Sequence, residues 1–199
     1  MKTLRSNAYP TPSVDPSEDG TYTVPVIQTP DGTYISDSYK IAAYIEEKYP
    51  SPPNMHLNHP IQDRFRKSMI SFMTALQPIY MLGVPQNILA DASIDFFRTT
   101  RHKDLGMSLE EFFTKESPGA FERAEPHLHN ITALLKEDTS GPFFLGQMVS
   151  YTDFIWAADL LFWKKFGEKE FQEILRRGGD TEVHATFLDG LNKWTARND

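Results

Sequence analysis

The sequence predicts a mostly α-helical chain in two parts: a β-hairpin plus one helix, followed by an all-helical part. Three observations carry this. Nine of the fourteen prolines (Pro10, Pro12, Pro16, Pro25, Pro30, Pro50, Pro52, Pro53 and Pro60) fall in the first sixty residues. Strand-like runs around a Pro30-Asp31-Gly32 turn signal also occur there. Beyond residue 58, apolar residues recur at helical spacing instead.

Thr23 to Gln28 reads as a strand and Thr33 to Ser36 as its return, with Pro30-Asp31-Gly32 between them. Residues 1–20 offer no strand and at most one helical turn around Met1 to Ser6. Ser38 to Lys48 is helical, with Ile41, Ala42, Tyr44 and Ile45 on one face. The run from Tyr49 to Asn54 cannot continue that helix, because each proline lacks an N–H and constrains the residue before it. The boundaries are therefore 1–50 for the first part, 51–57 for a linker and 58–199 for the helical part.

In the helical part, His59 to Leu82 spaces Phe65, Met69, Phe72, Met73, Leu76 and Ile79 as a helix with a kink near Pro78. Ser93 to Arg101 is a short helix. Leu109 to Lys136 is a longer one that Pro118 and Pro126 break or bend. Tyr151 to Phe166 is apolar nearly all round, which predicts the central buried helix. Lys169 to Arg177 is short and polar, and Val183 to Ala196 places Phe187, Leu191 and Trp194 on one stripe.

One local device stands out. Ser150 fits an N-cap and Asp153 the N3 position of a capping box, while Val149 and Phe154 sit at the two positions of a hydrophobic staple. The carboxylate also meets the positive end of the helix dipole. This is a folding feature without catalytic content.

Composition narrows the function. The chain has 199 residues, 40% of them hydrophobic, enough for one or two cores. Lys and Arg number 20 against 27 Asp and Glu, a net charge of −7 that repels nucleic-acid backbones. Cysteine is absent, which removes disulfides, Cys-zinc sites and any thiolate nucleophile within this sequence. Met69 to Ala90 lacks charged residues and is long enough to span a bilayer, but Gln77, Gln86, Asn87, Pro78 and Pro85 favour a buried helix instead. No membrane partner is expected. The six histidines (His56, His59, His102, His127, His129 and His184) form no convincing metal set, so no metal site is expected.

Two segments carry a resemblance. YTVPVIQTPDGTYISDSYKIAAYIEEKYPSP resembles the second half of the thioredoxin-like domain of glutathione S-transferases: a Val-Pro step, a hairpin, and an acidic-Ser pair opening a helix that ends in Tyr-Pro. PFFLGQMVSYTDFIWAADLLFW resembles the buried helix of that family's all-helical C-terminal domain. IDFFRTTRHKDLGMSLEEFF is most similar to the fungal etherase-like branch. The fold implied is a truncated thioredoxin-like α/β part, then an all-helical glutathione-transferase C-terminal domain.

The departure from the family pattern is at the start. The family's first domain opens with a strand, a helix and a second strand, and a Ser, Tyr or Cys after the first strand activates glutathione. The resemblance implies about forty to sixty further residues upstream of what is present. No residue here takes the activating role, Ser6 and Tyr9 included, so the catalytic set is empty.

The resemblance implies glutathione as co-substrate, held by Val24, Pro25, Asp37 and Ser38. In the cis form of the Val24–Pro25 bond, Val24 offers its backbone N–H and C=O as an added strand does. Asp37 pairs with the γ-glutamyl ammonium. Ser38 and the helix N-terminus meet its carboxylate. Taken alone, Asp-Ser before a helix is an ordinary capping pair. Phe65, Phe72, Tyr80, Phe162 and Trp163 are candidates to line a site for aromatic acceptors, with core packing the alternative. The expected function is addition of the glutathione thiolate to an electrophilic or ether-linked aromatic compound in the full-length form. The alternative is a non-catalytic relative that binds hydrophobic ligands or a protein. A cytoplasmic homodimer is expected by resemblance.

Overall fold

The Pro30-Asp31-Gly32 turn forms as its residues require. Thr29 and Thr33 close it with a 2.8 Å backbone bond, Thr33 donates its N–H to Asp31 Oδ1 at 3.1 Å, and Gly32 takes φ 87°. That φ lies where a Cβ is costly, so glycine suits the position. The Thr29 hydroxyl also bonds the Asp31 carboxylate, and these bonds hold the Asp31 carboxyl below its ordinary value.

The computed structural model describes residues 14–15, 25–50 and 54–195. The chain divides into two units, 1–57 and 58–199. In the first, β1 (Val14–Asp15), β2 (Val26–Gln28) and β3 (Tyr34–Ser36) form a sheet in the order β1-β3-β2. β2 and β3 are antiparallel, with Val26 opposite Ser36 and Gln28 opposite Tyr34. β1 lies parallel to β3. The expectation of no strand in residues 1–20 is therefore corrected. A two-residue strand between Pro12 and Pro16 carries no alternation, and only its distant partner β3 defines it. The helical turn expected at Met1 to Ser6 lies outside the described residues.

Helix α1 (Ser38–Lys48) packs on β2 and β3 and buries Ile41. It ends at Tyr49, whose N–H bonds Ile45 O at 2.8 Å, just before Pro50. Residues 54–57 return to this helix: Met55 N–H bonds Glu46, and the Tyr39 hydroxyl donates to Leu57 O.

The second unit is helical throughout its elements: α2 (Ile61–Asn87), α3 (Asp91–Leu105), α4 (Leu109–Glu116), α5 (Ala120–Leu135), α6 (Tyr151–Phe166), α7 (Glu168–Arg177), α8 (Thr181–Gly190) and α9 (Asn192–Thr195). α2 continues through Pro78 and Pro85, so those prolines do not interrupt it. Both are buried, and α2 packs against α4, α5 and α6, which offsets the bonds each proline removes. Pro126 likewise lies inside α5, where Ala124, Leu128 and Ile131 stay buried around it. Pro118 does separate α4 from α5. Gly119 turns the chain at φ 71°, and Arg123 bonds the carbonyls of Pro118 (2.8 Å) and Glu116 (2.5 Å). The stripe of Phe187, Leu191 and Trp194 is shared by α8 and α9, with the break at Leu191.

α6 is the central helix, with Trp156, Leu160 and Trp163 fully buried. Its capping box is present. Asp153 Oδ2 accepts from Ser150 N–H (2.7 Å) and Ser150 Oγ (2.6 Å), and Oδ1 accepts from Phe144 N–H (2.9 Å). Burial raises the Asp153 carboxyl above its ordinary value, against these bonds. Val149 is buried and Phe154 packs on the core. Phe65 and Phe72 of α2 meet Trp156 edge-to-face at 6.2 and 6.0 Å, which joins the two helices by aromatic packing.

Candidate functional site

The register of the hairpin decides which sequence-predicted residues come together. Val26 faces Ser36, so Pro25 and Asp37 flank that pair at the end of the sheet opposite the turn. Ser38 is the first residue of α1, and it follows Asp37 directly. Pro25 and Ser38 are exposed and Asp37 is half-buried. Val24, and with it the Val24–Pro25 bond, lies outside the described residues.

Asp37 is the corner of this arrangement. Its backbone sits at φ 77°, ψ 123°, a conformation that L residues rarely adopt. Such a residue costs on the order of 1–3 kcal/mol and persists only where its surroundings hold it. Here the hold is a cap: Oδ1 accepts the N–H groups of Tyr39 (2.9 Å) and Lys40 (3.0 Å), and the Asp37 carbonyl accepts that of Ile41 (3.0 Å).

This geometry narrows the anion site expected at the start of the helix. The N–H groups of Tyr39, Lys40 and Ile41 are committed to Asp37, so a ligand carboxylate does not meet an open ring of donors there. A carboxylate has four lone-pair sites and two oxygens, so capping through Oδ1 leaves Asp37 able to accept from a cation.

The aromatic candidates separate by burial. Phe65, Phe72 and Trp163 are 2%, 0% and 0% exposed and belong to the core. Tyr80 and Phe162 are half-buried and stand edge-on to each other at 6.5 Å. Burial raises the Tyr80 phenol above its ordinary value, with a smaller opposing influence from Arg101 and a reinforcing one from Asp159.

Asp159 was missed in the sequence. It is 7% exposed on the central helix, and burial pushes its carboxyl up to about 8. Trp163, one helical turn on, pulls in the opposite direction, yet neither Asp159 Oδ2 nor Trp163 Nε1 completes a hydrogen bond. The available signal was a lone carboxylate inside the apolar run from Phe154 to Trp163. His184 was also missed as a core group: it lies buried between Trp156 and Thr132.

Among the described residues, no three or more His, Cys, Asp or Glu are grouped to hold a metal ion. No described helix is long and apolar enough to cross a membrane.

A family model for the glutathione S-transferase C-terminal domain matches residues 61–194, and one for the N-terminal domain of the same family matches residues 3–53. A glutathione S-transferase-like protein, ustS of Aspergillus flavus, is 26% identical over 185 residues, covering 83% of this chain. The chain spans 66% of that relative's length. Among solved structures, glutathione transferase GSTFuA2 from Phanerochaete chrysosporium aligns with TM-score 0.72 at 24% identity, over 100% of this chain and 81% of its own. The glutathione S-transferase CsGST63524 of Ceriporiopsis subvermispora, solved in complex with glutathione, aligns with TM-score 0.59 at 24% identity, over 94% and 77%. At that identity the two structures speak to the fold alone.

Proposed function

The chain belongs to the glutathione S-transferase family, whose C-terminal domain it carries over residues 61–194, and from that premise we propose that it binds glutathione at the β3–α1 corner. Asp37 takes the γ-glutamyl ammonium through the carboxylate it also uses as a cap. Ser38 meets the γ-glutamyl carboxylate with its N–H and hydroxyl. Val24, next to Pro25, pairs its backbone with the peptide in the manner of an added strand. The observation that supports this most is Asp37 itself: a strained residue at a strand–helix junction, held by two side-chain bonds, with Ser38 directly after it.

The reaction we assign to the full-length form is thiol transfer. Glutathione loses its thiol proton, and the thiolate attacks an electrophilic carbon of an aromatic compound. A carbon–sulfur bond forms. The leaving group departs with its electron pair, as a phenol once protonated where the bond broken is an ether. The residue that lowers the thiol pKa is left unassigned in this chain. In a second reading, the chain binds hydrophobic ligands or a partner protein without turnover. The first reading also places the protein in the cytoplasm as a homodimer.

Calorimetric titration with glutathione tests the site. The expected result is saturable binding that Asp37→Asn weakens, because the amide keeps the cap and loses the charge. Heat of dilution only, from a folded sample, overturns the binding assignment. Turnover of 1-chloro-2,4-dinitrobenzene above the rate with glutathione alone separates the two readings.

A further inference from the structure

A helix in a globular protein is held mainly by the apolar face it buries. Helix α3 departs from that rule. It runs for 15 residues, Asp91–Leu105, and buries none of them, whereas every other described helix of eight residues or more buries at least one.

Its two sides divide cleanly. Ile94, Phe97, Arg98, Arg101 and Leu105 recur at helical spacing, are all half-buried, and share one side of the helix, which packs on α2 and α4. Arg98 pairs with Glu110 of α4 from that side. The opposite side carries Ala92, Asp95, Phe96, Thr99, His102 and Lys103, all exposed. Phe96 is 43% exposed, so a large part of an aromatic side chain faces water there, and covering it is favourable.

Charge on the outer side is sorted by end. Asp95 stands in the first half of the helix, and His102 and Lys103 stand in the last turn. Asp95 and Lys103 are eight residues apart, about 12 Å along the axis, too far to pair with each other. Among the described residues neither has an ion-pair partner, while Arg98 pairs with Glu110 and Arg101 with Asp104.

These features suit a second copy of the same helix. Two α3 helices laid antiparallel about a two-fold axis at Thr99 bring Asp95 of each opposite Lys103 of the other, and Phe96 opposite His102. A two-fold contact uses the same patch twice, so both ion pairs form at once. The small Thr99 at the axis leaves room for the two Phe96 rings beside it. An anionic surface is a poorer fit, because Asp91, Asp95 and Asp104 cancel Arg98, Arg101 and Lys103. Each copy also carries a net charge of −7, which repels at long range, so association requires a local complementarity of this kind.

We propose that two copies of this chain meet through the outer side of α3, antiparallel and two-fold, with Asp95 of each copy paired to Lys103 of the other around Phe96. The proposal rests on the homodimer part of the reading above and names its contact. A helix of this length is about 22 Å long and about 10 Å wide, a strip below the roughly 800 Å² per partner of a standard interface, so the association is weak and concentration-dependent.

Sedimentation velocity of the full chain over a wide concentration range tests it, and reversible dimerisation is expected. Asp95→Lys and Lys103→Asp each set like charges against one another twice, and each is expected to weaken the dimer about tenfold. Mixing the two variants is the decisive step: their heterodimer restores both ion pairs with reversed polarity, so the mixture recovers the wild-type affinity. An effect of either charge on its own helix cannot be rescued by mixing. A wild type that stays monomeric throughout overturns this contact and the homodimer reading together. A dimer that neither charge variant weakens, or one weakened without rescue on mixing, overturns the α3 contact and leaves the homodimer reading standing. Should a charge variant fail to fold, Phe96→Ser decides, and dimerisation undiminished by it overturns the contact equally.

Discussion

Trp156 Nε1–H donates to His184 Nδ1 at 3.2 Å, and that bond sets the state of a buried imidazole. With Nδ1 accepting, the ring proton sits on Nε2, which faces Thr132 Oγ1 at 2.9 Å. The threonine hydroxyl passes the chain on to Leu128 O at 3.0 Å. Every polar atom in the relay is satisfied, so helices α5, α6 and α8 are pinned together by hydrogen bonds as well as by packing. A second proton on Nδ1 would point at the indole N–H.

His184 is expected to make the fold acid-sensitive. Burial lowers its pKa from 6.5 to about 4, with Asp180 opposing. The unfolded chain binds this proton near 6.5 and the folded chain only near 4, so the contribution is present above 6.5 and is lost as pH falls toward 4. Its full size is about 3 kcal/mol. Urea unfolding of the wild type and of His184→Gln, each at pH values between 4 and 7, isolates it: the wild type should lose stability relative to the variant on acidification. Parallel profiles would remove His184 from the account.

Asp159 works in the opposite direction. Its folded pKa of about 8 exceeds the ordinary value of 3.8, so its contribution is complete below 3.8 and is lost as pH rises toward 8. The full loss is about 6 kcal/mol at alkaline pH. Between about 4 and 6.5 the two groups offset each other, one proton against one, and above 6.5 the Asp159 slope stands alone. Asp159→Asn is therefore expected to be more stable than the wild type at pH 8, with the difference shrinking steadily toward pH 4. The same urea series measures it, and an unchanged difference across that range would contradict the assignment.

Gly83 permits the close approach of α2 to the end of α6. A Cβ at this position would lie 2.3 Å from Phe166 Cζ, inside any van der Waals contact. The Phe166 ring has little room to move, since it is 5% exposed and stands 5.2 Å from Trp163 and 5.8 Å from Phe162. Gly83→Ala is expected to cost about 1–3 kcal/mol despite alanine's better helix propensity. Adding Phe166→Leu should recover part of that loss. A double-mutant cycle with no coupling would show that the helices separate freely.

What was legible in the sequence tracks how local each cause is. The box and staple at Val149, Ser150, Asp153 and Phe154 act within six residues, and the helix they start begins and ends where the pattern places it. Helix α2 runs past Leu82 through Pro85, and α5 runs through Pro126, because the cost of each proline is local while the burial that offsets it comes from other helices. β1 was missed for a related reason: its two residues acquire meaning only from β3. At the candidate site, the Asp37-Ser38 pair was visible as a cap, but its strain was not, since φ is set by the angle between β3 and α1. Asp159 and His184 take their properties from neighbours far along the chain, and only packing reveals them.

The strain at Asp37 and the cap it makes are separable by substitution. Asp37→Asn keeps an acceptor for Tyr39 and Lys40 and tolerates positive φ well, so its stability should stay within about 0.5 kcal/mol of the wild type. Asp37→Gly loses the side-chain bonds but relieves φ 77°, and the two effects largely offset. Asp37→Ala loses the bonds and keeps the strain, so it should fall about 1–2 kcal/mol below glycine. Thermal unfolding of the three variants orders them as Asn, Gly, then Ala. Glutathione titration of the same variants is expected to give a different order, with Asn, Gly and Ala all weakened because each removes the charge. If binding instead follows the stability order, Asp37 serves the site only as a cap.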